Sequence, residues 1–221
     1  MSKEAILSYE DSYREWYEDE KEYLPVFKSL VGSDKKVIDF AGGSGKAVPD
    51  LLVDGNSVVL GDLSLHSLKD ARATLAPGDV DFVRFNMLSG LPFADGAFDG
   101  IWFAEAFEYV PPDAREEFLT ALRKIVKKGG IVFLSAEGLS AELTMLMYAK
   151  NYLYWKLVKR APVVWGEYVY KLDLPVYKGW HYHSLVLNRR IERSFRATGF
   201  EILKHKDSGK TEYASYILRA I

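Results

Sequence analysis

Residues 37–45 read Val-Ile-Asp-Phe-Ala-Gly-Gly-Ser-Gly, an apolar run that ends in an acid and opens into a glycine-rich turn. The next apolar run, Val58-Val59-Leu60-Gly61, closes on a second acid, Asp62. Two strand-like segments, each tipped by a carboxylate and joined by a short helical stretch, make a nucleoside-binding βαβ start. The glycines let backbone N–H groups approach a ligand without interference from a Cβ. Asp62 stands where one carboxylate can accept from both hydroxyls of a ribose.

The alternation begun there continues over residues 35–135. Short apolar runs bounded by turn residues place strands at 36–40, 57–61, 80–85, 99–103 and 130–135. The clearest helix spans 113–127, with Phe118, Leu119, Leu122, Ile125 and Val126 on one face. Pro111-Pro112-Asp113 opens it and Gly129-Gly130 closes it. Residues 136–182 break the rhythm: two or more helices from near Ser140 towards Arg160, then a looser segment rich in Tyr and Trp. Regular pattern returns with a helix over 185–198 and strands over 200–207 and 212–220, close enough to pair antiparallel around Ser208-Gly209-Lys210. Residues 1–32 have a helical pattern, acidic and aromatic, with Tyr9, Tyr13, Trp16 and Tyr17 at helical spacing.

Composition narrows the classes. A chain of 221 residues that is 48% hydrophobic suits one α/β domain with a sizeable core. A net charge of −2 argues against binding duplex nucleic acid, which calls for a basic excess. The absence of cysteine excludes disulfides, thiolate zinc sites and a cysteine nucleophile. The opening Met-Ser-Lys-Glu-Ala is unlike a signal peptide, so the expected location is the cytoplasm. No uncharged apolar run is long enough to span a bilayer.

With these residues in view, the chain resembles a class I S-adenosylmethionine-dependent methyltransferase of the small-molecule type. Asp39-Phe40-Ala41-Gly42-Gly43-Ser44-Gly45 matches that family's first motif, an acid followed by a glycine-rich turn. Asp62 matches its ribose-binding acid, with Leu63 as the apolar neighbour of adenine. Asn86-Met87 falls where the family has an acid and then an apolar residue. The run from Leu91 to Asp99 resembles its loop into strand four, and Ala104-Glu105-Ala106 follows that strand. The resemblance implies an α/β, Rossmann-like fold: a seven-stranded, mostly parallel sheet with the last strand antiparallel, helices on both faces, and a helical, aromatic cap. It implies S-adenosyl-L-methionine as cofactor, held by Asp39, Ala41, Gly42, Gly43, Gly45, Asp62, Leu63, Asn86, Met87 and Ala104. One domain over 1–221 is expected. It divides into an N-terminal cap helix (1–32), a cofactor-binding core (33–135), a cap insert (136–182), and a C-terminal helix with an antiparallel strand pair (183–221).

Rival glycine motifs fit worse. A dinucleotide fingerprint would need a small residue at Val48, and a phosphate loop would need a glycine at Phe40 and a hydroxyl at Ala47. A nicotinamide-dependent oxidoreductase is therefore disfavoured. The competing reading is a non-catalytic S-adenosylmethionine-binding module or partner subunit, motivated by the uncharged Asn86 and the lack of an obvious base.

Candidates for acid–base work are Glu105, at a helix start, and His181 and His183, which flank Tyr182 and titrate near neutrality. Each has a plainer reading: a carboxylate at a helix N-terminus, or a satisfied histidine. No metal is expected, because His181 and His183 lack a nearby third ligand. Tyr13, Tyr17, Trp165, Trp180 and Tyr182 are the candidate cap residues over a small, hydrophobic or aromatic acceptor. Arg189, Arg190, Arg193 and Arg196 read as a solvated helix face. Lys150, Lys156, Lys159 and Arg160 flank the stretch 143–158, which raises peripheral contact with a membrane surface. The acceptor atom and the oligomeric state are open at this level.

Overall fold

A buried parallel strand must be apolar on both faces, and the alternation along each strand decides which helices cover which side. The computed structural model describes residues 20–75, 80–137, 144–173, 178–186, 188–206 and 213–221. Its first half runs α1 (Leu24–Val31), β1 (Lys36–Phe40), α2 (Val48–Leu52), β2 (Ser57–Asp62), α3 (Leu65–Thr74), β3 (Val80–Arg84) and β4 (Phe98–Phe103). The second half runs α4 (Arg115–Ile125), β5 (Val126–Glu137), α5 (Met145–Leu153), β6 (Glu167–Asp173), β7 (Lys178–Ser184), α6 (Asn188–Ala197), β8 (Phe200–Lys206) and β9 (Tyr213–Ala220).

Seven strands form one sheet in the order β3-β2-β1-β4-β5-β9-β8. Neighbours from β3 to β5 are parallel, and β9 runs antiparallel to both β5 and β8. This is the mostly parallel, Rossmann-like sheet expected, with the reversed last strand. Val37, Val58, Leu60, Trp102 and Phe133 face one side, where Phe27, Leu51 and Leu68 pack on them from α1, α2 and α3. Ile38, Val59, Ile101, Phe103 and Val132 face the other, covered by Phe118 and Leu122 of α4 and Phe195 of α6.

Three segments depart from expectation. Leu24–Val31 lies in the span expected as a cap, yet α1 packs on the sheet. Tyr23 meets Phe133 at 5.3 Å and Phe27 meets Trp102 edge-on at 5.3 Å. Gly100 makes the room, since a Cβ there would press on Phe27 and Val31 at 3.0 Å. Gly129-Gly130, expected as a helix stop, lies inside β5, which α4 enters directly at Val126. The insert holds α5, a single π-helical turn (Tyr154–Val158) and the β6–β7 hairpin, with the hairpin standing where a loose segment was expected. The missed signal was period-2 alternation: Tyr168 and Tyr170, then Trp180 and Tyr182, sit at alternate positions in a run dense enough in aromatics to hide it. No helix of the described residues is long and apolar enough to cross a membrane.

Candidate functional site

Sheet order reverses at β1, which has β2 on one side and β4 on the other. In an open parallel sheet the crevice outside the strand ends at such a point receives a ligand. A cleft of about 750 Å³ opens there, bounded by the ends of β1, β2 and β4 through Asp39, Asp62, Trp102 and Ala104.

The chain leaves β1 through a strained turn. Ala41 has φ 57° and Gly43 has φ 56°, both left-handed. Glu105 repeats the strain after β4 with φ 49°, and its N–H donates to Ser135 Oγ at 2.9 Å. Non-glycine residues held in this region mark places where the surrounding structure enforces an unfavourable backbone, commonly at functional sites. Gly42 is required for a different reason, because a Cβ there would land on the carboxyl group of Asp39.

Asp62 ties the two strand ends together. The Gly43 N–H donates to its Oδ2 at 2.9 Å and the Ser64 N–H donates to its Oδ1 at 2.7 Å. Ser64 also caps α3, its Oγ accepting from the Ser67 N–H at 3.1 Å. Each Asp62 oxygen has a second lone pair for an outside donor. A vicinal diol is the ligand group that matches two such acceptors on one carboxylate.

The cleft floor is acidic. Asp39 is 2% exposed, and its Oδ2 has no hydrogen-bond partner among the described residues. Burial, and then the charge of Asp62, pushes its carboxyl up from 3.8 to about 7. Glu20 also lines the cleft, where the Ser135 hydroxyl donates to its Oε1. Burial, followed by the neighbouring Glu105, raises Glu20 well above the usual carboxylate range. Such a floor favours a cation, and an orphaned Asp39 oxygen is a ready partner for an ammonium.

Most of the expected cofactor residues come together. Asp39, Ala41, Gly42, Gly43 and Asp62 line the cleft, as do Leu63, Asn86, Met87 and Ala104. Leu63 is exposed and Met87 half-buried, so both offer apolar surface to a flat ring. The Asn86 Oδ1 already accepts from the Leu88 N–H at 3.0 Å, with one lone pair left for an adenine amino group. Gly45 does not line the cleft. Its φ of 76° and its N–H to Gly42 O at 2.8 Å make it a turn residue, packed on Leu60 and Leu75.

The candidate acid–base and cap residues divide. Glu105 lines the cleft. His183 is buried one ring behind it, edge-on to Tyr109 at 5.8 Å, and Tyr109 is the ring that lines the cleft. His181 pairs with Tyr170 in the hairpin ladder. Trp180 pairs with Lys171 there. Tyr182 donates to Glu167 Oε1 at 3.0 Å, and Trp165 packs edge-on against Tyr152 at 5.5 Å; neither lines the cleft. Tyr13 and Tyr17 lie outside the described residues. Among the described residues no group of three His, Cys, Asp or Glu could hold a metal ion.

Sequence reasoning missed Glu20, Phe85, Trp102 and Tyr109 as lining residues. The sequence pattern reads Glu18-Asp19-Glu20 as exposed, yet Glu20 is 4% exposed, because the packing of the chain on β5 brings it to Ser135. Phe85 had a local signal: Gly61 is bare because a Cβ would meet the Phe85 ring.

Sheet order and a glycine turn over a buried acid at the end of β1 together give the Rossmann-like sheet of the class I methyltransferase fold. Residues 38–134 match the family described as a methyltransferase domain. An uncharacterized methyltransferase of Synechocystis is 26% identical over 132 residues, 60% of this chain and 57% of that protein. A probable methyltransferase of Aspergillus luteorubrus is 34% identical over 80 residues, 32% of this chain and 28% of that one. The chain thus spans about half or less of the curated relatives it matches. A crystal structure of a SAM-dependent methyltransferase from Methanosarcina mazei shares the fold, with a TM-score of 0.69 at 19% identity, covering 89% of this chain and 97% of that one.

Proposed function

We propose that this protein transfers a methyl group from S-adenosylmethionine to a small, hydrophobic or aromatic acceptor. The observation that carries the reading is Asp62, whose two oxygens are oriented by the Gly43 and Ser64 amides while each keeps a lone pair for a ribose hydroxyl. In this reading Leu63 and Met87 bracket the adenine and Asn86 accepts from its amino group. The strained turn at Ala41–Gly43 follows the amino-acid tail, and Asp39 Oδ2 takes the ammonium. When bound, the cofactor supplies a methyl group already activated on a sulfonium. The chain's own work is then alignment and exclusion of water, which can remove about 7–11 kcal/mol of barrier. The carboxyl groups of Glu20, Asp39 and the half-buried Glu105 gather at that end of the cleft. Glu105 is the candidate base at the cleft wall, for acceptors that must lose a proton. One domain serves both ends: the core over 33–135 holds the cofactor, and strand β7 shapes the acceptor side through the contact of its His183 with Tyr109.

The test is a methyl-transfer screen with labelled donor over phenols, quinols, amines and aromatic acids, beside calorimetry with the donor and its demethylated product. Binding with turnover supports the proposal. Binding without turnover on any acceptor would favour the non-catalytic module, and no binding would remove both.

A further inference from the structure

Among the described residues, one face of the insert's helix carries its anchoring contacts. Asn151 Nδ2 donates to Val169 O at 2.7 Å and its Oδ1 accepts from the Val169 N–H at 3.0 Å. The indole N–H of Trp155 donates to the same carbonyl at 3.1 Å, and the buried Tyr148 packs on Tyr168 at 5.2 Å. Residues 148, 151 and 155 share a side at i, i+3 and i+7, and that side is fixed to the β6–β7 hairpin.

The opposite side is apolar and open. Leu146, Leu153 and Leu157 follow one another at i, i+7 and i+11, with exposures of 62%, 51% and 68%. Met147, Tyr154 and Val158 run beside them, all exposed. Scattered exposed apolar residues need no explanation, but a continuous stripe two to three turns long does.

Its charge names the partner. Residues 144–166 carry four basic side chains, Lys150, Lys156, Lys159 and Arg160, and no acid, in a chain whose net charge is −2. Lys150 sits within the stripe, four residues after Leu146 and three before Leu153, and is exposed. Lysine is depleted from the cores of protein–protein interfaces. At a bilayer surface the same residue is favourable, since its stem lies along apolar surface while the ammonium reaches the headgroups. Tyr154, exposed beside the stripe, adds an amphipathic ring of the kind that settles at headgroup level. We propose that α5 and the π turn after it form an interfacial anchor that rests on an anionic lipid surface, with Leu146, Leu153, Leu157 and Val158 in the acyl boundary and the four cations among the headgroups.

Flotation of the full chain with phosphatidylcholine vesicles, with and without phosphatidylglycerol, tests this. The wild-type chain should float with the anionic vesicles and remain behind with the neutral ones. The pair Leu153→Glu and Leu157→Glu should abolish flotation, and Lys156→Gln with Lys159→Gln should weaken it about thirtyfold. All variants should keep wild-type affinity for S-adenosylhomocysteine by calorimetry, which shows that the fold is intact. A wild-type chain that never floats with anionic vesicles would overturn the proposal, as would flotation indifferent to the Leu→Glu pair. Loss of a dimer in those variants, seen by sedimentation and without lipid binding in the parent, would also overturn it and make the face a contact between copies.

Discussion

The carboxyl group of Asp39 fills the space in which a Cβ of Gly42 would stand. The two residues therefore constrain each other, and the turn can close over the acid only because Gly42 has no side chain. Gly42→Ala should move the turn or expel the carboxylate, a strain of about 1–3 kcal/mol. The expected result is a tenfold or greater loss of affinity for S-adenosylhomocysteine by calorimetry, with the sheet intact by circular dichroism.

Asp39 couples binding to pH. Its folded pKa, about 7, lies above the ordinary 3.8, so between these values the folded protein binds more protons than the unfolded chain. Stability from this group is fully present below the ordinary value and is lost as pH rises through about 7. A cationic ligand favours the ionised form, so cofactor affinity should rise from pH 6 to pH 8 with release of a proton. Calorimetry in buffers of different ionisation enthalpy measures that proton. Asp39→Asn should remove both the release and the pH dependence.

Glu20 follows the same direction for a related reason. Burial and then Glu105 raise its carboxyl well above the usual range, so stability is present at low pH and lost as pH rises through its raised pKa. Glu20→Gln keeps a neutral polar group at the site and cannot ionise. The variant should gain on the wild type as pH rises, as read by urea unfolding over a pH series.

Arg115 staples the insert hairpin to α4. Its Nη1 donates to Leu185 O at 2.8 Å, and its Nη2 donates to Ser184 O at 3.1 Å and Ser184 Oγ at 2.7 Å. The Ser184 hydroxyl in turn contacts the Glu108 carbonyl at 2.6 Å, next to Tyr109 on the cleft wall. Arg115→Met should strand these acceptors and destabilise the protein by about 3 kcal/mol in urea unfolding. Arg115→Lys should recover little of it, because a single ammonium cannot reproduce the fork.

What was legible in the sequence was what local chemistry decides. The apolar runs ending at Asp39 and Asp62 specified β1 and β2, and the glycines between them marked the turn that a buried acid forces. Seven sheet strands could be read because each contains a β-patterned run bounded by turn residues, although β5 reaches back beyond its apolar run to Val126. The β6–β7 hairpin could not, because an aromatic-rich segment hides period 2 among residues that suit helix and strand alike. Glu20 could not, because its role depends on contact with Ser135, 115 positions away. Trp165 and Tyr182 suited a lid by composition, but their partners, Tyr152 and Glu167, belong to the insert itself and keep them from the cleft.

Calorimetric titration of S-adenosylhomocysteine into the wild-type chain and into Asp62→Ala tests the ribose assignment most directly. One site is expected in the wild type and a loss of about 1.5–3 kcal/mol in the variant, the range for hydrogen bonds to a charged group. No binding to the wild-type chain, or equal affinity in the two proteins, would contradict it.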